Sequence, residues 1–455
     1  MKYDLLIKNG KVVLEHQVAE ADVAVLDGRI AAIGAISGEA KETLDAGGMY
    51  LLPGAIDGHV HLCEPGRTEW EGFETGTKAL AAGGTTCYVD MPLNNLPATC
   101  NGQSLKMKLD AAKDKNYVDY ALYGGVVPYN LDKGQIKELD DGGVVGYKAF
   151  LATCGFDVPD DFFNIDDYEL YEGMTQLAKL GQTIAIHCEN AQICDGLEAK
   201  AQAQGKSDMY AYLDSRPIFA EVEAVRRALY FAKVTGCKTH FVHLSSAAAV
   251  REVYLAKQQG MDVSTESCPH YLVFDRDQCS QIGALAKCSP PIRSKAESEL
   301  LWNELFAGTV DMIGSDHSPC PPSMKESGGD MFKAWGGLSA CQNTLDIMFD
   351  EAVQKRGMCP AALMKMLATN VASVFGIPNK GKIAPGFDAD LVLLKPNDPY
   401  TLKAEHLLYK HKLSAYVGRE IGCRIVKTMV RGHLVYDHAA GIVGEPIGRY
   451  IKKAR

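Results

Sequence analysis

The sequence predicts an α/β protein in which a (β/α)8 TIM barrel carries a small β-sandwich formed by both chain ends. Three observations predict it. The middle of the chain alternates strand-like and helix-like segments, both ends are rich in short β-branched runs, and 455 residues exceed what one hydrophobic core usually holds. We therefore expect residues 1–52 and 381–455 to form the sandwich and residues 53–380 to form the barrel.

The two ends share one pattern, short apolar runs separated by turns. The N-terminal runs lie at residues 4–8, 22–26 and 30–36. The C-terminal runs lie at residues 389–394, 425–430 and 433–436. Asp27-Gly28 stands between two apolar runs, which is a strong hairpin signal. Each end has an apolar face that needs a cover, so we expect the two ends to cover each other.

The middle of the chain offers eight strand candidates with helical stretches between them. Several candidates are apolar on both faces, as a parallel sheet covered by helices requires. Eight such units favour a barrel over a doubly wound open sheet, because the open sheet would need a glycine-rich phosphate loop after the first strand and residues 63–67 do not form one. The expected strands are residues 54–62, 85–91, 117–127, 144–151, 183–189, 239–244, 262–267 and 311–315, and the helices include residues 74–82, 166–180 and 220–233.

The composition narrows the class of protein. The net charge of −10 and the pI near 5.7 disfavour nucleic acid or an anionic membrane as a partner. No apolar run approaches the roughly 20 residues that span a bilayer, and residues 1–4 do not open a signal-peptide segment, so we expect a cytoplasmic protein. The 14 cysteines include no Cys-x-x-Cys pair, which favours buried reduced thiols over disulfides or a structural zinc site.

Polar side chains stand where a barrel of this kind places its active site, at the carboxyl ends of the strands. His59 and His61 end the first strand and, being two residues apart, share one face of it. Lys148 lies inside the otherwise apolar fourth strand, where a buried ammonium needs a partner or must lose its charge. The fifth, sixth and eighth strands end in His187, His243 and Asp316. Imidazole and carboxylate groups are the ligands that zinc and similar divalent ions take.

Each of these residues also has an ordinary structural explanation. A His-x-His pair in an exposed strand is often only a polar face, and a lone histidine at a strand end is more often a hydrogen-bonded polar group than a ligand. Asp316 could cap a following helix. Their occurrence at five strand ends in barrel order favours a metal centre over these separate explanations.

The segments that contain these residues resemble the cyclic amidohydrolases of the amidohydrolase superfamily. The resemblance covers essentially the whole chain, including the split sandwich. The matching segments are Pro53-Gly54-x-x-Asp57-x-His59-x-His61, Glu64-Pro65-Gly66-Arg67, Gly146-Tyr147-Lys148, Ile186-His187-Cys188-Glu189-Asn190, Val242-His243-Leu244-Ser245, Glu266-Ser267-Cys268-Pro269-His270-Tyr271, Cys288-Ser289-Pro290-Pro291-Ile292-Arg293 and Gly314-Ser315-Asp316-His317-Ser318.

The resemblance implies a hydrolase with two divalent metal ions. Zinc is the expected metal, and manganese, cobalt or iron would also suit the ligands. The implied ligands are His59, His61, Lys148, His187, His243 and Asp316. By the same resemblance Lys148 is carboxylated by CO2 to N6-carboxylysine, a carbamate that bridges the two ions, and Asp316 is the catalytic proton shuttle. A homotetramer with a small-molecule substrate and no nucleic-acid or membrane partner is implied as well.

Two departures from the patterns of relatives favour the allantoinase group within this family. Dihydroorotase-like relatives carry an arginine two residues after the His-x-His pair, where this chain has Cys63. Hydantoinases and dihydropyrimidinases place a tyrosine five residues after the lysine, where this chain has Thr153. The resemblance thus implies hydrolysis of the cyclic amide of allantoin to allantoate, in purine and ureide breakdown. Hydantoinase or dihydropyrimidinase activity is the alternative, and dihydroorotase activity is less favoured. The expected substrate contacts are Ser289, Arg67 and Thr153.

A non-catalytic scaffold is the remote alternative. Relatives that resemble the collapsin-response mediators share the fold and have lost metal ligands. All six ligand positions are occupied in this chain, which favours the enzyme.

Overall fold

The computed structural model describes residues 2–156 and 158–454 and contains two β-sheets within them. One sheet has eight parallel strands, and the other has nine strands contributed by both chain ends. The predicted barrel with a small β domain from both ends is confirmed.

The strands fall into three groups along the chain. The N-terminal group is β1 (Lys2–Val13), β2 (Val18–Leu26), β3 (Arg29–Gly34), β4 (Glu39–Asp45) and β5 (Tyr50–Pro53). The barrel strands are β6 (Ala55–Val60), β7 (Thr85–Asp90), β8 (Asp119–Gly125), β9 (Gly146–Phe150), β10 (Thr183–His187), β11 (Lys238–Phe241), β12 (Val263–Ser267) and β13 (Met312–Ile313). The C-terminal group is β14 (Leu391–Thr401), β15 (Glu420–Val430), β16 (His433–Asp437) and β17 (Gly441–Ile442).

Helices follow or connect most barrel strands. They are α1 (Phe73–Ala82), α2 (Gly102–Ala112), α3 (Gln135–Gly142), α4 (Asp167–Leu180), α5 (Ala191–Ala203), α6 (Met209–Asp214), α7 (Ile218–Thr235), α8 (Ala247–Gln258), α9 (Pro269–Val273), α10 (Arg276–Ile282), α11 (Lys295–Ala307), α12 (Thr344–Met348), α13 (Pro360–Met364) and α14 (Asn370–Phe375). Two π-helical turns, Phe349–Lys355 and Lys365–Thr369, follow α12 and α13. None of the helices in the described residues is long and apolar enough to cross a membrane.

The barrel strands pair in chain order, each parallel to the next, from β6 to β13. The ring closes where Val60 of β6 forms a parallel bridge with His317, and the His61 N–H donates to the His317 carbonyl at 2.8 Å. Every residue of β6, β7 and β8 is buried, as a sheet covered on both faces requires. The eighth strand, Met312–Ile313, is shorter than the predicted residues 311–315. Beyond it the backbone reaches a positive φ of 46° at Asp316.

The end sheet joins the two ends of the chain through β5 and β14, which pair antiparallel. It also folds back on itself. The Ala389 N–H donates to the Gly28 carbonyl at 2.9 Å, so the turn between β2 and β3 meets the start of the C-terminal strands. The enclosed apolar side chains include Val23, Leu391 and Met429. All 14 cysteines are free, and every one except Cys154 and Cys359 is buried, as predicted for reduced thiols.

Candidate metal centre and active-site cavity

Three of the predicted ligands meet at the carboxyl ends of β6 and β13. The Nε2 atom of His59 lies 3.3 Å from Oδ1 of Asp316, and the Nε2 atom of His61 lies 3.5 Å from the same oxygen. All three side chains are buried. Their ligand atoms lie within 4.8 Å of one another, so this group could hold a divalent cation.

Two more predicted ligands stand beside this group. His187 is the last residue of β10, His243 follows the end of β11, and Nδ1 of His187 lies 3.1 Å from Nε2 of His243. The ring centroids of His243 and His59 are 5.2 Å apart, which places the two groups next to each other. Burial lowers the pKa of His59, His187 and His243, so these imidazoles are neutral at pH 7, the form that binds metal.

Lys148 lies in β9, as predicted, and is fully buried. Its Nζ atom has no hydrogen-bond partner among the described residues. Burial lowers the pKa of Lys148 to about 8, although Asp316 and Glu266 oppose the shift. An unpaired buried ammonium is unfavourable, whereas a carbamate anion facing metal ions is not. The orphaned Nζ and the mixed nitrogen and oxygen donors therefore fit a pair of divalent ions and a carboxylated lysine.

Carboxylates behind the histidines decide which imidazole nitrogen faces the centre. Oε1 of Glu266, in β12, lies 2.7 Å from Nδ1 of His59. Oε2 of Glu189 lies 2.8 Å from Nε2 of His187 and accepts a hydrogen bond from Arg216 at 2.9 Å. Sequence reasoning gave neither glutamate a role. A signal for Glu189 was present, since it follows His187 by two residues and so shares its face of an extended chain.

A cavity of about 420 Å³ opens in front of the predicted metal ligands, a volume suited to one small ring. His59, His61, His187, His243 and Asp316 line it. Apolar side chains form much of its remaining wall, among them Leu93, Phe150, Phe156, Phe162 and Trp335.

The three predicted substrate contacts all line this cavity. The Ser289 hydroxyl lies 2.6 Å from the Tyr212 hydroxyl, and the Thr153 hydroxyl donates to Asp195 at 2.6 Å. The guanidinium of Arg67 donates to Asp161 at 2.7 Å and stacks against the rings of Trp70 and Phe156, so its charge is already matched.

Cys63, at the position where dihydroorotase-like relatives carry arginine, is 1% exposed. It packs in a small apolar cluster with Trp70 and Cys320. This position therefore offers the cavity no cation.

The loop after β13 brings Trp335 into the cavity wall, and sequence reasoning found no role for this residue. The Trp335 indole N–H donates to the Ser318 carbonyl at 3.3 Å, and its ring meets Trp70 edge-on at 4.8 Å. Gly337 must be glycine, because a Cβ there would lie 2.5 Å from the Ser318 carbonyl oxygen. Lys325 supports the loop by donating to three backbone carbonyls at 2.7–2.9 Å.

Known proteins share this architecture over its whole length. Residues 50–435 match the model of the amidohydrolase family. Allantoinases from Salmonella newport (strain SL254) and Salmonella typhimurium (strain LT2) are 52% identical over 454 residues, which is 100% of this chain and 99% of each relative.

Solved structures of a hydantoinase and a dihydropyrimidinase have the same fold as this chain. L-Hydantoinase (dihydropyrimidinase) from Arthrobacter aurescens has a TM-score of 0.95 at 35% identity, with 99% of this chain and 100% of that chain covered. Dihydropyrimidinase from Brevibacillus agri has a TM-score of 0.90 at 31% identity, with 99% of both chains covered. The chain therefore belongs to the amidohydrolase family.

Proposed function

We propose that this protein hydrolyses the cyclic amide of allantoin to allantoate. The observation that carries the reaction class is the convergence of His59, His61 and Asp316 beside the His187–His243 pair at the floor of one cavity. The choice of substrate is supported by the identity of 52% to allantoinases over the whole chain.

We infer that the site holds two divalent ions, and zinc is the metal that we propose. His59, His61 and Asp316 would hold one ion, His187 and His243 would hold the other, and Lys148 would contribute its carbamate oxygens. When bound, the ions lower the pKa of a water molecule and polarise the carbonyl that is attacked. The neutral Lys148 amine would add to CO2, forming an N–C bond and releasing a proton, so that an anion replaces the unpaired buried ammonium.

Asp316 is the proposed proton carrier. Burial by itself would raise its pKa, but His59 and His61 hold the pKa of Asp316 at about 2, so it is a carboxylate at pH 7. It can accept a proton from the attacking water while the new C–O bond forms. It can then give that proton to the ring nitrogen as the C–N bond breaks, which leaves a ring-opened ureido acid.

The cavity wall supports a neutral ring as substrate. Ser289, Thr153 and Arg67 are the proposed substrate contacts. Because Arg67 is paired with Asp161 and Cys63 is buried, neither position offers a free cation to grip a substrate carboxylate. This makes dihydroorotate the poorer substrate.

A hydantoinase or dihydropyrimidinase is the second candidate, favoured by the TM-score of 0.95 to the Arthrobacter aurescens enzyme. An assay of metal-replete protein with allantoin, hydantoin, dihydrouracil and dihydroorotate separates the two candidates. We expect the highest kcat/KM with allantoin. A higher kcat/KM with hydantoin or dihydrouracil would overturn the choice of substrate. Hydrolysis of none of the four by protein that binds no metal would favour the scaffold.

We also propose that the protein assembles as a homotetramer. Large aromatic side chains on the outer helices support an assembly, since Tyr168 on α4 is 69% exposed and Phe219 and Tyr230 on α7 are 60% and 67% exposed. Sedimentation equilibrium should return four times the 49.3 kDa chain mass, and a monomer mass would contradict the proposal.

A further inference from the structure

We propose that Glu266 is a positioning residue that holds both histidine groups of the metal centre in register, through contacts to His59 and His243. The proposal rests on the proposed function, because it concerns the same metal centre. Glu266 is fully buried and does not line the cavity, so it acts through the histidines and not on the substrate.

A single carboxylate oxygen serves both groups. Oε1 of Glu266 lies 2.7 Å from Nδ1 of His59 and accepts the main-chain N–H of His243 at 3.2 Å. With the Nδ1 proton of His59 held in this way, the lone pair of Nε2 is free to face Asp316 and a metal ion. The same oxygen therefore sets the tautomer of one ligand and the backbone position of another.

The backbone of His243 needs such support. Its φ of 40° lies in the left-handed region, which is unfavourable for a residue with a Cβ. The Leu244 N–H donates to the main-chain carbonyl of Glu266 at 2.7 Å. Glu266 therefore accepts the main-chain N–H of His243 and the N–H of the residue that follows it. Without these contacts we expect His243 to relax and to move its imidazole away from His187.

The neighbouring strands leave a space for this carboxylate. A Cβ at Gly314 would lie 2.9 Å from Cδ of Glu266 and 3.0 Å from Cβ of His59. The glycine is therefore required by the close approach of Glu266 and His59, and not by an unusual φ. Behind Glu266, Nε2 of His240 lies 3.5 Å from Oε2, and the other nitrogen of His240 lies 2.9 Å from the Ser264 hydroxyl.

Titration of the metal-free protein with Co2+ tests the proposal, because the visible absorption of bound Co2+ reports ligand geometry without any catalysis. Glu266→Met keeps the chain length and removes the acceptor, while Glu266→Gln keeps one acceptor oxygen. We expect Glu266→Met to bind Co2+ about 10- to 100-fold more weakly, with altered absorption bands. Glu266→Gln should restore part of the affinity and the original bands.

Glu304→Met is the matched control. Glu304 is a buried carboxylate of α11 that accepts from Thr309 at 2.7 Å and from Arg251 at 2.6 Å, outside the metal centre. Its loss should leave Co2+ affinity and spectrum unchanged. If folded Glu266→Met binds Co2+ as tightly as the unmodified protein and with the same bands, the inference is overturned while the proposed metal centre stands. If the unmodified protein binds no Co2+, the metal centre fails first, and the inference with it.

Gly314→Ala keeps the test decisive if Glu266→Met does not fold. Its methyl group would press on the Glu266 carboxylate and on Cβ of His59, which Glu266 holds, so we expect a folded protein with weakened Co2+ binding and shifted bands. Unchanged Co2+ binding in both Gly314→Ala and Glu266→Gln would overturn the inference.

Discussion

A buried amine without a partner is the residue whose chemistry most needs an explanation. Lys148 is fully buried in β9, and its Nζ has no hydrogen-bond partner in the described parts of the chain. An ordinary core position would select against lysine, since a buried charge costs several kcal/mol. Conversion to a carbamate would turn this unfavourable cation into an anion that metal ions stabilise.

Lys148→Ala should therefore lose most bound metal and most activity. Short carboxylic acids such as acetate or propionate should restore part of both, because a free carboxylate fits the space that the carbamate would fill. Metal content by elemental analysis and the initial rate with allantoin check this outcome. Full activity in the variant without added acid would disprove the carbamate proposal.

Asp316→Asn should keep much of its metal and lose at least about 10²-fold in kcat, the usual scale for general acid–base catalysis. The amide has the size of the carboxylate and an oxygen for the metal, but it cannot carry the proton. Asp311→Asn, one residue before β13 at the opposite end of the barrel, is the matched control and should keep its kcat. If kcat of Asp316→Asn equals kcat of the control Asp311→Asn, Asp316 does not carry the proton.

The residues that converge on the candidate metal centre could be predicted from sequence, whereas the carboxylates that support them could not. His59 and His61 follow from strand periodicity, because two residues apart in a strand means one face. Glu266 meets His59 across 207 positions of sequence, and no local spacing indicates that contact. The metal assignments themselves stay a prediction until the ions are measured.

The predicted bounds of helix α4, residues 166–180, agree with the structure to within one residue, because a side-chain cap fixes its start. Helix α4 begins after Asp166, whose carboxylate accepts from the Glu169 N–H at 2.8 Å, while the Glu169 carboxylate accepts from the Asp166 N–H at 2.8 Å. Gly181 ends the helix with a φ of 65°. Strand β4 was not predicted, because most of its side chains are exposed and it has no apolar alternation.

Asp166→Ala should lower the free energy of unfolding by about 0.5–2 kcal/mol, since it leaves the Glu169 N–H of the first turn without its acceptor. The activity should change little, because Asp166 does not line the cavity. Thermal melting followed by circular dichroism measures the loss. Glu172→Ala, in the same helix and outside the cap, should melt close to the unmodified protein.

At the scale of the whole molecule, a buried ion network joins the barrel to the end sheet. The Lys380 ammonium lies 2.7 Å from Asp119 of β8 and 2.6 Å from Asp390, next to β14. Arg431 also pairs with Asp119 and closes the network. Sequence patterns do not reveal such a network, because its members belong to separate elements and become neighbours only when both domains are in place.

Lys380→Met should destabilise the protein by about 3–5 kcal/mol, because it leaves buried carboxylates without their cation. Lys382→Met is the control. Lys382 pairs with Glu15 at 3.1 Å, and its side chain is 29% exposed, so its loss should cost less than about 1 kcal/mol. Equal melting temperatures for the two variants would show that the network does not hold the domains together.

Because the proposed substrate is neutral, the electrostatic field of the whole protein should not affect its association with the site. The net charge of −10 neither attracts nor repels allantoin at long range, so kcat/KM should change little with added salt. Steady-state rates over a range of sodium chloride concentrations check this. A steep salt dependence would indicate an anionic substrate.

The barrel and the shared end sheet were predictable because the hydrophobic periodicity of each segment and the order of the segments along the chain determine them. The domain boundaries near residues 52 and 380 stay a prediction.

Antiparallel pairing of β5 with β14 sets an order of events during synthesis on the ribosome. The N-terminal strands emerge first, yet β5 has no C-terminal neighbour until the barrel and β14 have been translated. Until then its free edge can recruit other nascent chains. Premature termination after the barrel would therefore release a polypeptide prone to aggregation, even with every predicted metal ligand already translated.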